Sequence, residues 1–192
     1  MTRIFDIVFS FLGLLIFSPV IFVLLIIGVF DTGSPLFRQE RVGVNKRPFF
    51  LLKFRSMHVN TQAVATHLVQ VSAITKWGSF LRKSKLDELP QLFNVLIGDM
   101  SFVGPRPNLY NQIELIEERS TRGVYLIRPG ITGLAQIQKI DMSTPQLLAE
   151  TDAKMIKNLS VINYFFYIFK TLLGRGFGDR VSKSKLISKS AQ

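Results

Sequence analysis

The sequence predicts a mainly helical α+β protein that is attached to a membrane. Three observations predict this class: a long apolar segment near the start, two strand-like segments after it, and apolar residues at helical spacing in most of the remainder. Of the 192 residues, 47% are hydrophobic, and the formal net charge is +11. We expect a membrane helix over residues 1–31, a globular domain over 32–174 and a basic, flexible tail over 175–192.

The membrane segment is the uncharged stretch 7–30, whose 24 residues would form a helix of roughly 36 Å. Since the hydrocarbon core of a bilayer is about 30 Å thick, this stretch is long enough to cross it. Ser18 and Pro19 lie near its midpoint. Proline bends or breaks a helix there, and Ser18 can donate to a carbonyl that proline frees. A kinked span and a re-entrant hairpin of two short half-helices both fit these residues. Cations on both flanks favour two ends on the cytoplasmic face.

Residues 36–57 predict a small β-hairpin, with a turn near residues 43–45. Side chains two apart on a strand share a face, so Lys53 and Arg55 are expected to point the same way. They would form either a solvated strand face or a clamp for an anion.

Residues 87–100 predict a helix, because their apolar side chains recur at intervals of three and four. Asp87 would be its N-cap, and Pro90 would fall in the first turn, where a missing backbone donor costs little. Gly98 would mark its end.

Weaker patterns fill the rest of the globular part. Residues 60–74 show faint helical periodicity, and residues 101–108 predict a stiff loop in which Arg106 stands between two prolines. Residues 108–123 predict a surface helix. A turn that continues as a strand or a helix is expected over 127–138.

Two further helices are predicted towards the end of the chain. The first has Ser143 as its cap and Pro145 in its first turn. The second is the aromatic stretch 163–174, which is too short to cross a bilayer and carries Lys170 near its end. Its composition suits an amphipathic helix at the membrane interface, and a buried core helix is the alternative.

Two neighbouring carboxylates, Asp87 and Glu88, stand just before Pro90 in a strongly basic chain. A helix N-terminus stabilises negative charge, so both could serve only as capping charges. The nearby cations favour a functional site instead, because guanidinium groups are the usual partners of phosphate oxygens. The candidate phosphate-binding or nucleotide-binding residues are Arg82, Arg106, Lys53, Arg55 and Arg128.

An ionised carboxylate among phosphate-binding cations can attack phosphorus, as in enzymes that form an aspartyl phosphate. Two like charges beside a phosphate also favour a divalent cation, and oxygen ligands suit Mg²⁺. The sequence therefore predicts Asp87 and Glu88 as catalytic residues and as magnesium ligands. The chain has no cysteine, which excludes disulfides, thiolate zinc sites and a cysteine nucleophile. His58 and His67 match no metal-binding spacing.

Four blocks of the sequence resemble, in order, the signatures of the bacterial sugar transferases, the monotopic phosphoglycosyl transferases. They are "GSPLFRQERVG", "KFRSM", "LDELPQLFNVLIGDMSFVGPRP" and "RPGITGLAQ". The likeness covers the chain from Arg3 to about Leu173 and resembles the short form of the family. It implies a re-entrant helix broken at Ser18 and Pro19, on the cytoplasmic face of the bacterial inner membrane.

The resemblance also implies an activity and partners. The enzyme would move a sugar 1-phosphate from a UDP-sugar to undecaprenyl phosphate, releasing UMP at the start of O-antigen, capsule, exopolysaccharide or glycoprotein glycan synthesis. Asp87 would be the nucleophile that carries a covalent phospho-sugar, and Glu88 would help to hold Mg²⁺ or orient the pair. Arg82 and Arg106 would bind substrate phosphates. Membrane lipid is an expected partner and nucleic acid is not, and a homo-oligomer is left open.

Two departures from the family pattern leave the sugar undetermined. After "GLAQ", residues 137–140 replace a common Asn-Gly-Arg, and Met155 stands where a tyrosine often follows Asp152. A different class of function is also open on charge alone: a membrane-anchored, basic protein that binds nucleic acid or anionic lipid without catalysis. That alternative predicts dispensable carboxylates and steeply salt-dependent binding.

Overall fold

The computed structural model describes residues 2–59, 61 and 73–175, and of Arg175 only the backbone. The predicted basic tail beyond residue 175, most of the weakly periodic stretch 60–74, and His67 lie outside the described residues. The rest is mainly helical with two small sheets, as the sequence predicts.

A long apolar helix opens the structure: α1 spans Thr2–Thr32 and is long and apolar enough to cross a bilayer. Only 11% of its most apolar window is buried inside the protein, so a packed protein core does not account for its composition. The helix continues through Pro19 rather than ending there. The Ser18 hydroxyl donates to the carbonyl of Leu15 at 2.8 Å, the carbonyl left free by the missing proline N–H, as expected. The re-entrant path itself stays a prediction.

The predicted β-hairpin is confirmed. Strands β1 (Leu36–Val42) and β2 (Pro48–Phe54) pair antiparallel through a tight turn at Val44–Lys46. Apolar side chains on the inner face of β2 pack against the helix that follows the carboxylate pair and against residues near it. The hairpin therefore forms one wall of the region that contains the carboxylates.

Helix α2 spans Lys76–Ser84 and delivers the chain to the carboxylates. The Thr75 side chain caps its start by accepting from the Gly78 amide at 2.8 Å, and Lys85 ends it in the left-handed conformation. A Cβ on Gly78 would lie 2.0 Å from the Ser56 carbonyl oxygen, so only glycine lets α2 approach the end of the hairpin this closely.

Helix α3 (Gln91–Ile97) follows and ends at Gly98, whose φ of 103° is the left-handed stop that the sequence predicts. Strand β3 (Ser101–Val103) then pairs in parallel with β4 (Gly130–Thr132). The predicted loop at 101–108 therefore begins as a strand, and only its second part is a loop. The segment at 127–138 contains both alternatives, β4 and then helix α5 (Leu134–Ile137).

Three more helices complete the described part of the chain: α4 (Ile113–Thr121), α6 (Pro145–Lys157) and α7 (Val161–Lys170). The N-cap of α6 is Thr144, so the prediction of Ser143 was wrong by one residue. Ser143 instead bonds the Asp141 carboxylate and closes the turn before the helix.

Helix α7 has one buried face and one exposed apolar face, and its place at the membrane interface stays a prediction. Tyr164 and Tyr167 are buried in a cluster with Val103 and Met155, whereas the opposite face leaves large apolar side chains exposed. The exposed side chains include Ile162, Phe166 and Phe169. One face belongs to the core, and the other is available to an apolar environment.

Candidate active site

Asp87 and Glu88 lie on a single 3₁₀ turn, Leu86–Glu88, between α2 and α3. The expectation that Asp87 caps the following helix is wrong, because α3 begins at Gln91 with Pro90 at the N-cap position and has no side-chain cap. The Leu89 amide bonds the Leu86 carbonyl, and Pro90 has no N–H. The turn instead fixes the two carboxylates by its own backbone bonds, independently of the α3 terminus.

The carboxylate pair is largely withdrawn from solvent. Asp87 is only 3% exposed, and the Glu88 side chain is 12% exposed. Two cations approach Glu88 Oε1: Arg106 Nη2 at 3.4 Å and Lys53 Nζ at 4.0 Å. Because these charges are partly buried, solvent screens their attraction less than it would at an open surface. The structure thus brings together four of the predicted site residues.

Arg82 approaches the same region from α2. Its Nε donates to the Ser56 hydroxyl at 2.8 Å, and Ser56 is buried just after β2. Arg82 also stands one helical turn before the carboxylate turn, which keeps it on the element that leads into Asp87.

Arg55 and Arg128 are placed elsewhere. Strand β2 ends at Phe54, and the Arg55 amide still bonds the Pro35 carbonyl of the neighbouring chain segment at 2.8 Å. The Arg55 side chain donates to the Ser34 carbonyl at 2.9 Å and lies over the Phe37 ring. Lys53 approaches Glu88 whereas Arg55 bonds Ser34, and an anion clamp formed by the two stays a prediction. Arg128 donates to the Gly98 carbonyl at 2.8 Å, at the C-terminal end of α3, whereas the carboxylate turn precedes the N-terminal end of this helix of roughly 10 Å.

Arg41 is a site residue that sequence reasoning missed. It is buried, and it lines a small cleft with Lys53, Gln91 and Arg106. Its Nη1 donates to the carbonyl of Pro107 at 3.1 Å. No signal in the sequence indicated it: the residue types on β1 do not mark Gln39 and Arg41 as facing inward, and the burial of Arg41 is evident only in the folded structure.

A buried ion pair, Arg119 with Asp152, was also missed. Nη2 and Nε of Arg119 lie 2.7 and 3.1 Å from Asp152 Oδ2, and Arg119 Nη1 donates to the Arg106 carbonyl at 2.9 Å. Asn108 Oδ1 accepts from Arg119 and from the Tyr125 hydroxyl, both at 2.9 Å. Burial raises the pKa of Asp152, and the Arg119 guanidinium opposes that rise.

These bonds show how the Arg106 loop is held. Arg41, on the β-hairpin, donates a hydrogen bond to the carbonyl of Pro107, and Arg119, on α4, donates one to the carbonyl of Arg106. Two buried guanidinium groups thus bind the carbonyls of two successive residues, Arg106 and Pro107. The side chain of Arg106 is left to point at Glu88.

Magnesium would have to rely on few protein ligands. Among residues 2–59, 61 and 73–175, no group of three or more acidic, histidine or cysteine side chains could hold a metal ion. The available donors are the carboxylates of Asp87 and Glu88, which are hard oxygen ligands. One or two carboxylates with substrate phosphates is a usual magnesium set, so the residues present fit an ion shared with a diphosphate.

Comparison with known proteins gives one consistent result. A family model described as bacterial sugar transferase matches residues 1–175. The chain is 34% identical over 185 residues to a UDP-N-acetylgalactosamine-undecaprenyl-phosphate N-acetylgalactosaminephosphotransferase of Aeromonas hydrophila, covering 91% of this chain and 44% of the relative. It is 38% identical over 189 residues to a UDP-glucose:undecaprenyl-phosphate glucose-1-phosphate transferase of Escherichia coli, covering 92% of this chain and 40% of the relative.

A third relative is closer in length. The chain is 37% identical over 171 residues to an uncharacterised sugar transferase of Bacillus subtilis, covering 88% of this chain and 82% of the relative. By contrast, it spans only about two fifths of the length of the Aeromonas and Escherichia relatives. Those two relatives act on different sugars according to their names, so similarity to them does not select one.

Proposed function

This chain belongs to the bacterial sugar transferase family, and from that membership we propose that it transfers a sugar 1-phosphate from a UDP-sugar to undecaprenyl phosphate. The observation that carries the proposal is the carboxylate turn. Asp87 and Glu88 are fixed on one short turn, and Arg106 and Lys53 approach Glu88 from two other elements. Cations in this position would offset the negative charge of a diphosphate that binds next to the Asp87 carboxylate.

The first step forms a covalent intermediate on Asp87. A carboxylate oxygen of Asp87 attacks the phosphorus that bears the sugar, the bond from that phosphorus to the UMP oxygen breaks, and UMP leaves with the bonding electrons. Arg106 and Lys53 stabilise the charge that develops on the phosphoryl oxygens and the leaving group. Because Asp87 is held on a backbone-bonded turn, little ordering is needed before attack.

The second step returns the enzyme to its starting state. A phosphate oxygen of undecaprenyl phosphate attacks the same phosphorus, and the bond to the Asp87 oxygen breaks. The product is undecaprenyl diphosphate linked to the sugar, and the carboxylate is regenerated. Two displacements at one phosphorus predict ping-pong kinetics.

Magnesium fits this site as a shared ion. When bound, it would supply charge neutralisation for the diphosphate of the donor. Glu88 would hold the ion together with Asp87, while the Arg106 and Lys53 contacts limit repulsion between the two carboxylates. We expect chelation of divalent cations to stop UMP release, and Glu88→Gln to raise the magnesium concentration needed for half-maximal rate. Full activity after chelation would contradict a metal requirement.

The contacts between α1 and the globular part support a membrane placement of the protein. Arg3 donates to the Val95 and Leu96 carbonyls, whereas Leu24 packs in one cluster with Phe54 and Leu81. A straight helix would separate Arg3 and Leu24 by roughly 32 Å.

The two contact surfaces are much closer than that. Asn94, next to Val95, accepts from the Leu52 amide, and Leu52 is two residues from Phe54. Both ends of α1 therefore reach one compact body, while residues 15–20 are exposed. These contacts support a re-entrant helix that bends at Pro19. We place both of its ends on the cytoplasmic face of the inner membrane, because cations flank the apolar stretch on both sides. Such a helix would keep the carboxylate turn near the phosphates of the lipids.

The direct test is UMP release by the wild-type protein and by Asp87→Asn, with a panel of UDP-sugars and undecaprenyl phosphate. Asparagine keeps the size of the side chain and removes the nucleophilic oxygen. We expect turnover to fall by a factor on the order of 10⁴ or more, as when a covalent nucleophile is removed from other enzymes. Asp141→Asn removes an exposed carboxylate in the turn before α6 and should leave turnover unchanged. Normal UMP release by Asp87→Asn would refute the proposed role.

A further inference from the structure

One carboxylate of the membrane helix is buried against the globular part. Asp6, in the first turns of α1, is 1% exposed. Its Oδ1 accepts three hydrogen bonds: from the Ser101 hydroxyl at 2.9 Å, the Phe102 amide at 3.0 Å and the Tyr164 hydroxyl at 2.8 Å. The donors belong to β3 and α7, which are 95 to 158 residues away in the chain.

Burying a carboxylate costs free energy unless hydrogen bonds or opposite charges compensate for it. A charged side chain beside an apolar membrane segment loses its hydration, and only hydrogen bonds or opposite charges compensate for the loss. Three donors on one oxygen provide this compensation. Burial and the nearby Asp6 carboxylate both raise the pKa of Tyr164, so the phenol stays protonated and remains a donor.

The bonds of Asp6 lead towards the active site. Phe102 lies four residues before Arg106, on strand β3, which leads into the loop that contains Arg106. β3 is itself fixed by pairing with β4. Nearby on α1, Arg3 donates to the Leu96 carbonyl at 2.8 Å, so the same end of the membrane helix also holds the end of α3.

We propose that Asp6 is a positioning residue that couples the seating of the membrane helix to the loop that carries Arg106. The inference rests on the proposed function. Asp6 touches no substrate; it sets the place of β3, and through β3 the place of Arg106, relative to the part of α1 that enters the bilayer.

This coupling has different consequences for the two substrates. The nucleotide donor arrives from water and needs only the cleft of the globular part. The lipid acceptor arrives along the membrane, so its phosphate meets Arg106 and Asp87 only if the globular part is seated correctly on α1. Loss of the Asp6 bonds should therefore affect the acceptor more than the donor.

The experiment compares KM for undecaprenyl phosphate with KM for the UDP-sugar in wild type, Asp6→Asn and Tyr164→Phe. Asp6→Asn keeps the shape but loses the charge that three donors share. We expect the KM for the acceptor to rise at least about tenfold in Asp6→Asn, as for the loss of a hydrogen bond to a charged group, with the KM for the donor within about twofold. Tyr164→Phe removes one donor and leaves the carboxylate bonded to β3. It should therefore also raise the KM for the acceptor more than the KM for the donor, but by a smaller factor than Asp6→Asn.

A second readout does not depend on turnover. Hydrogen exchange of the Phe102 amide, which donates to Asp6, should be faster in Asp6→Asn than in wild type, while amides in α6 keep their protection. The double variant Asp6→Asn/Tyr164→Phe should change the acceptor KM by less than the product of the two single changes, because the residues share one bond. Asp141→Asn is the control with an equal loss of charge.

The outcomes separate this inference from the proposed function. If wild type releases no UMP from any UDP-sugar, the proposed function fails and the coupling fails with it. If wild type turns over and both variants change the two KM values equally or not at all, the coupling alone is refuted. Unchanged exchange at Phe102 in Asp6→Asn would also refute it.

Discussion

Residues outside the sequence block that contains Arg106 hold Arg106 in position. The backbone carbonyl of Arg106 is bound by Arg119, and Arg119 is fixed by Asp152, which is fully buried. Removing one partner of a buried ion pair leaves the other charge without compensation in a poorly solvating interior. The effect therefore reaches both stability and the geometry of the site.

We predict that Asp152→Asn lowers the free energy of unfolding by about 3–5 kcal/mol. The same change should lower the rate of UMP release in protein that remains folded, because Arg119 no longer holds the Arg106 carbonyl. Denaturant unfolding in detergent and UMP assays measure the two effects.

The matched control is Glu118→Gln. Glu118 on α4 pairs with Arg122, which directly follows the helix one turn later, and both side chains are partly exposed. Pairs of this kind contribute only about 0.3–0.5 kcal/mol. Equal destabilisation by the two substitutions would contradict the distinct role given to the buried pair.

The bend of α1 is the clearest prediction about a single helix. Pro19 removes the N–H that would bind the Leu15 carbonyl, and Ser18 takes that carbonyl instead. Pro19→Ala together with Ser18→Ala restores an ordinary helix at this point. We expect the helix to straighten and cross the bilayer, which moves its start to the opposite side.

Cysteine labelling at Thr2 measures this change. In the parent chain, Thr2→Cys should react with a membrane-impermeant reagent only from the cytoplasmic side. In the Ser18→Ala/Pro19→Ala background it should react from the periplasmic side. Periplasmic labelling in the parent chain would refute the re-entrant path.

Local patterns in the sequence predicted local structure well. The period of two found the hairpin, Gly98 marked the end of α3, and the role of Ser18 beside Pro19 was correct. Helix α2 was missed although Trp77, Phe80 and Leu81 stand at helical spacing, because the helix has only 9 residues and Gly78 lowers its helix propensity. That glycine is required by a close approach to Ser56, and only the folded structure shows this approach.

Contacts between distant segments could not be predicted in the same way. Arg119 and Asp152 are 33 positions apart, and no periodic pattern in the sequence indicates that they pair. Nor does any local pattern connect Asp6 with Tyr164 across 158 residues. The carboxylate pair could be identified, but its place on a 3₁₀ turn depends on the left-handed Lys85 and on backbone bonds that compete with a cap.

The molecule as a whole uses many of its cations internally. Arg3, Arg41 and Arg119 bind backbone carbonyls or a buried carboxylate, and Arg106 approaches Glu88. The described part of the chain therefore does not present all of its positive charge to an external polyanion. This distribution favours a catalytic site with phosphate-binding cations over a basic surface for nucleic acid, although the net charge of +11 alone suits both.

Asp87 can be tested as the covalent nucleophile in one experiment. The protein in detergent is mixed with a UDP-sugar labelled in the sugar, without undecaprenyl phosphate, then quenched, digested and analysed by mass spectrometry. The account predicts that the peptide containing Asp87 carries one phospho-sugar and loses it when undecaprenyl phosphate is added before the quench. An unlabelled Asp87 peptide in protein that forms the lipid product at its normal rate would contradict the account.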